Sequence, residues 1–270
     1  MKSKKRVIFK VFGALFIPLL FIVIAGMGSG CNKKTEFETT KKANESFTAE
    51  NALASIFIET DAGTVNVLVE DIAQTTIEYY QDEKISVSIN ESPKEGENDR
   101  SILTLKQEVK GYFMNYGGEI IVKIPKNAAN YTVNVKTGAG ETTVSGLIAD
   151  ALETNSGAGA LNIRNCILNE LKVDTGTGDV IVSGSDIEKA NISANVGSVK
   201  LSETKAAQAD ICVDTGSIDL TPIGIQNEYT LTGETKVGKC NFQNAKGSTE
   251  KYINAKTSVG SITLTFIPAN

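Results

Sequence analysis

One short phrase, a glycine followed by alternating apolar residues, returns seven times between residues 133 and 264 and constrains the fold more than anything else in the chain. It begins at Gly140, Gly159, Gly178, Gly197, Gly216, Gly238 and Gly260, in steps of 19, 19, 19, 19, 22 and 22 residues. Two positions on stand Thr142, Leu161, Val180, Val199, Ile218, Cys240 and Ile262. Four positions on stand Val144, Ile163, Val182, Leu201, Leu220, Phe242 and Leu264. In a chain that is 41% hydrophobic, seven apolar residues in one column arise by chance ~2 times in a thousand. Seven positions before each glycine a third apolar column runs through Val133, Leu152, Leu171, Ala190, Ala209, Leu231 and Ile253. The residues three after each glycine, such as Asn162, Lys200 and Asp219, are mostly polar and therefore face water.

Alternation at this period predicts two short strands per coil, joined by a glycine turn. Two strands of five residues enclose almost nothing, so the coils must stack, lining the columns into ladders. The expected fold is all-β: a single-stranded, β-helix-like β-solenoid with coils of about 19–22 residues and an irregular β region at its N-terminal end. Gly63 opens an eighth copy of the phrase, and regularity then breaks for some seventy residues. Strands are expected at 76–80, 85–89, 102–105 and 119–124, the last ending at Pro125 as an edge or terminating strand. Residues 90–100 read as a charged loop, and 112–116 as an aromatic hairpin tip that covers the core or contacts a ligand. Open solenoid ends need covers; residues 68–130 are expected at one end and Phe266-Ile267-Pro268 at the other.

Five basic residues precede a seventeen-residue apolar stretch at 11–27, followed by Gly28-Ser29-Gly30-Cys31. This predicts export, with the N-terminus held at the cytoplasmic side. Gly28-Ser29-Gly30-Cys31 resembles a bacterial lipobox, which makes Cys31 the lipidation candidate, although Gly28 stands where leucine is usual. An uncleaved signal anchor is the alternative; both place the protein on the extracytoplasmic face of a bacterial cell membrane. The expected organisation is a signal peptide or membrane anchor at 1–30, a flexible tether at 31–50, the irregular β region at 51–130, and the repeat solenoid at 131–270, continuous with it.

Beyond Cys31 the chain carries 22 basic and 32 acidic residues, a balance that repels nucleic acid and anionic lipid. Histidine is absent, which excludes Ser-His-Asp and Cys-His catalysis and His-containing zinc sites. A phosphate-cradling loop needs a helix after its glycines, whereas here a strand follows every time. Calcium needs oxygen ligands at fixed offsets. The residues after the glycines (Glu141, Ala160, Asp179, Ser198, Ser217, Lys239, Ser261) form no acidic ladder. No cofactor, metal or small-molecule substrate is expected. Of the cysteines, Cys240 falls in an inward column, Cys212 outward and Cys166 in a turn, and no disulfide is assigned.

The export segment, the Gly-x-Val-x-Val opening strand, the run Ile120-Ile121-Val122-Lys123-Ile124-Pro125 and the Thr-Gly-x-Gly and Val-Gly-Ser-Ile/Val repeats together resemble a bacterial family. It is the candidate-adhesin domain of unknown function found in envelope-associated β-solenoid proteins. The resemblance covers residues 52–267 and implies a surface solenoid without established catalytic residues. The function expected is that of an exported, membrane-anchored, non-enzymatic module contacting an envelope protein or glycan, in adhesion or envelope-stress sensing. A polysaccharide-acting β-helix enzyme or a structural spacer is the alternative. Enzymes of that kind need paired carboxylates in a groove. Glu141, Glu153, Asp174, Asp179 and Asp219 scatter over unrelated columns, and Tyr131, Tyr229, Tyr252 and Phe266 form no sugar-stacking stripe.

Overall fold

A computed structural model of the chain describes residues 40–110 and 117–268. The export segment with Cys31, the tether as far as residue 39 and the aromatic tip at 112–116 lie outside the described residues. Among the described residues no helix is long and apolar enough to cross a membrane. The chain begins with β1 (Glu45–Thr48), β2 (Ala52–Glu70), β3 (Thr76–Tyr79), β4 (Ile85–Lys94), β5 (Glu97–Val109) and β6 (Gly118–Pro125). The repeats follow as β7 (Thr132–Ala139), β8 (Thr142–Ser145), β9 (Ile148–Ala158), β10 (Leu161–Arg164), β11 (Ile167–Thr177), β12 (Val180–Ser183) and β13 (Asp186–Val196). The last strands are β14 (Val199–Thr215), β15 (Ile218–Pro222), β16 (Thr230–Val237), β17 (Tyr252–Val259) and β18 (Ile262–Leu264).

Each coil is a flattened loop with one long and one short strand, and the coils stack in parallel register nineteen residues apart. Leu152 pairs with Leu171 and Leu171 with Ala190 in the long-strand ladder, as Leu161 pairs with Val180 in the short-strand ladder. β2 and β14 round the corner and join both ladders. The predicted inward columns are the core: Leu152, Leu171 and Ala190 are fully buried, facing Val144, Ile163 and Val182 across the coil. The glycine corner is where coils come closest. A Cβ added to Gly178 would stand 1.9 Å from the carbonyl oxygen of Gly159.

The stacking order departs from chain order at both ends. By the same backbone contacts, Gly118 neighbours Gly63, and Gly63 neighbours Gly140; the series then runs in sequence to Gly216 and continues through Gly260 before Gly238. The last coil, β17–β18, is thus inserted between β14–β15 and β16. At the other end β2 lies between the β5–β6 coil and the β7–β8 coil. β2 and the β17–β18 coil thus each have a strand on both sides, where an end strand would fray. Phe266-Ile267-Pro268 therefore belongs to an internal coil: Ile267 bridges to Ile223, and the Phe266 ring lies 5.2 Å from that of Tyr229. The far end is covered instead by residues 239–251, through an antiparallel bridge from Leu231 to Ala245 and the Phe242 ring over Gly233.

The N-terminal end is capped by antiparallel pairing, β4 on β5 and β3 on β6, with β1 outermost on β3. Three expectations change here. Residues 90–100 are a hairpin, β4 to β5, whose turn holds Gly96 at φ 83°, with Pro93 tolerated because β4 is an edge. β6 is an interior strand between β2 and β3; Pro125 ends it only lengthwise. Residues 41–50, counted as tether, are bound to the sheet: Lys41 bridges to Gly118, β1 pairs with β3, and Ala49 is buried. Polar composition concealed these pairings because edge strands bury little.

Candidate functional site

The outward face of the long-strand ladder is a continuous surface among the described residues. Nine parallel strands, from β5 through β2 and β7 to β17 and β16, cover on the order of 40 Å at ~4.8 Å per step. Their outward residues form straight columns. Six positions before each repeat glycine stand, in stack order, Phe57, Asn134, Glu153, Lys172, Asn191, Asp210, Asn254 and Thr232. Parallel register sets each of these beside its counterpart one coil away, so charges pair between coils. Lys136 reaches Glu59 at 3.1 Å, Lys172 reaches Glu153 at 2.7 Å, and Lys256 reaches Glu234 at 3.8 Å. Asp210 accepts hydrogen bonds from the Tyr252 hydroxyl at 2.7 Å and from Asn254 Nδ2 at 3.0 Å. The bond to Asp210 raises the Tyr252 pKa above its ordinary value, with burial adding to it.

Among the shallow depressions on this face are two of about 260 Å³ each. One surrounds Asn191, Asp210, Cys212 and Lys256; the other lies beside Phe57, Asn134 and Asn155. A third, of about 280 Å³, sits at the N-terminal corner around Glu50, Thr75, Arg100 and Tyr131. Its groups serve the fold. Arg100 donates to the carbonyls of Leu53 at 2.8 Å, Ala129 at 3.2 Å and Asn130, holding the left-handed Asn130 turn at φ 54°. Glu91 accepts the backbone N–H groups of Glu50 at 2.8 Å and Asn51 at 3.0 Å, clamping the start of β2. Burial pushes the Glu91 carboxyl up, but these donors together outweigh it and hold the pKa below the ordinary value.

The acidic residues considered for catalysis are dispersed. Glu141 accepts from Asn162 at 2.8 Å, Asp179 accepts the Ser198 N–H at 2.7 Å, and Asp219 accepts from the Thr263 hydroxyl. Among the described residues, no three His, Cys, Asp or Glu side chains converge to hold a metal. Tyr131 and Tyr229 are core residues, and burial drives the Tyr131 hydroxyl far above its ordinary pKa, with the neighbouring Cys166 adding to it. Cys166, Cys212 and Cys240 are free thiols. Cys166 is buried within its turn, its Sγ donating to Arg164 O at 3.3 Å; Cys212 is exposed; Cys240 is half-buried, donating to Phe242 O at 3.4 Å. Sequence reading passed over Phe57, whose signal was present: it is the one apolar residue in an otherwise polar column of eight.

The Toastrack DUF4097 family model matches residues 33–269. A solved structure from Clostridium sporogenes, described as a candidate cell adhesion protein, is 14% identical with a TM-score of 0.41, over 83% of this chain and 98% of its own. Another from Parabacteroides distasonis, described as a candidate lipid binding protein, is 14% identical with a TM-score of 0.38, over 86% and 100%. A candidate adhesin from Parabacteroides merdae is 14% identical with a TM-score of 0.21, over 85% and 99%. Similarities of this order assign neither a ligand nor an activity. Comparison with the curated proteins finds no match. The family model spans nearly the whole chain and every described strand, and the chain belongs to the Toastrack DUF4097 family.

Proposed function

We propose that this is an exported, membrane-anchored, non-enzymatic surface module whose long-strand face contacts a protein or glycan of the cell envelope, in adhesion or envelope-stress sensing. The observation that carries this reading is the continuous, largely polar outer face of nine parallel strands, on which lysine–carboxylate pairs join neighbouring coils. A surface of that kind resists self-association yet offers a rigid grid of hydrogen-bonding groups, the arrangement expected of a contact surface. The dispersed carboxylates favour contact over hydrolysis. Attachment through the basic and apolar N-terminal segment, with lipidation at Cys31, completes the reading. The test is gene deletion with complementation, followed by surface attachment and survival under envelope stress. Loss of either phenotype, restored by the wild-type gene, supports the reading; a deletion strain unchanged in both refutes it. Mass spectrometry of the mature N-terminus tests the lipid on Cys31.

A further inference from the structure

We propose that the depression beside Phe57 is a binding site for an uncharged pyranose ring, the terminal or internal sugar of a neutral glycan; this rests on the contact reading above and names its ligand class. Phe57 is 39% exposed on a rigid strand, at a position where all seven counterparts in the stack are polar. Nothing in the fold requires an aromatic ring there, because its strand is already anchored by Ile56 and Ile58, both buried. The ring borders a depression of about 260 Å³. In register, Phe57 stands between Thr104 and Asn134, and Asn155 is one step further along, beside Lys136.

The chemistry around the ring selects the ligand. Asn134 and Asn155 have no side-chain hydrogen-bond partner among the described residues, so two amides, each both donor and acceptor, are free beside an apolar surface. The charges are already matched: Glu59 with Lys136 at 3.1 Å, Glu153 with Lys172 at 2.7 Å, and Lys106 with Glu108 at 2.7 Å. An ionic ligand would have to break a pair to find a counter-charge. What fits is a small ring with one apolar face and a rim of hydroxyls. Its axial C–H face lies on Phe57 while vicinal hydroxyls exchange hydrogen bonds with the two amides. A flat, open depression accommodates a ring within a longer chain as readily as a terminal one.

The test uses the full-length protein in a non-glycosidic detergent, probed with chitotriose, cellotriose, trigalacturonate and a neutral tripeptide by ligand-observed saturation-transfer NMR and calorimetry. The expected result is transfer to the ring C–H protons of a neutral trisaccharide, with affinity lowered about tenfold or more in Phe57→Ala, retained in Phe57→Tyr, and weakened in Asn134→Ala and Asn155→Ala. Circular dichroism of each variant checks the fold, and Phe57→Tyr keeps the proposal falsifiable if Phe57→Ala unfolds. Equal binding by Phe57→Ala, transfer only to trigalacturonate or the tripeptide, or no transfer to either neutral trisaccharide overturns the site. The two readings fail separately. A deletion phenotype fully complemented by the Phe57→Ala gene leaves the contact module standing and removes this site from it; absence of any deletion phenotype removes the contact module whatever binds at Phe57.

Discussion

Replacing Gly178 with alanine tests the stacking geometry at the glycine corner. Gly178 has φ 142°, a backbone conformation strained for any residue with a Cβ, and its added methyl would sit 1.9 Å from Gly159 O and 2.6 Å from Gly159 C. Both obstacles are backbone, so no side chain can swing aside. The coils must separate locally, at the expense of the bonds Gly159 N to Thr177 O at 2.8 Å and Leu161 N to Asp179 O at 2.9 Å. Strain of roughly 1–3 kcal/mol and one or two hydrogen bonds worth about 1 kcal/mol each give a loss of roughly 2–5 kcal/mol. The control is Gly146→Asn at the opposite corner. There φ is 72°, the nearest atom to a new Cβ is Val69 Cβ at 3.7 Å, and the equivalent residue one coil on is already Asn165, at φ 54°. This change costs at most about 1 kcal/mol, since asparagine tolerates the left-handed region. Denaturant midpoints followed by circular dichroism, with amide exchange to localise the opening, measure both. A Gly178→Ala loss below about 1 kcal/mol, or equal losses at the two corners, would refute the argument that backbone contact between coils dictates the glycine column.

Deleting residues 252–270 removes a coil from inside the stack. Ile253, Ile262 and Leu264 are lost from the core, roughly 5–9 kcal/mol of burial, and amide protection of Thr230–Val237 should vanish with them; persistent protection there would contradict the inserted order. Glu153→Gln breaks an ion pair whose side chains are 51% and 43% exposed, so the expected cost is about 0–1 kcal/mol, shrinking further in high salt. Burial raises the Cys166 and Tyr131 pKa values above the ordinary 9.0 and 10.0. The folded state thus keeps protons that the unfolded chain releases, and stability should fall as pH rises past 9, with Cys166→Ala removing the onset of that fall in a pH series of denaturant midpoints. Glu91 has the opposite sign: its lowered pKa gives stability that is present above the ordinary 4.5 and lost as pH falls below it, and Glu91→Gln should flatten that acid limb in the same series.

The sequence by itself determined the coil. Inward columns such as Leu152, Leu171 and Ala190, the glycine corners and the outward position of Cys212 were all legible, because alternation within a strand and a nineteen-residue period are local properties. Tertiary structure decided the order of the coils. Every coil offers its neighbours nearly the same columns, so the pattern that makes coils stack cannot say which stacks on which. The longer connections that precede Gly238 and Gly260 let the chain step past one level and return, and the β17–β18 coil closes the gap between β15 and β16. The N-terminal cap was equally out of reach. Residues 41–50 and the hairpin tip around Gly96 bury little, and β1 finds its partner, β3, only across the intervening β2. Phe57 joins both levels: its place as the one apolar residue in a polar column of eight stands in the sequence, but parallel register alone sets it physically between Thr104 and Asn134.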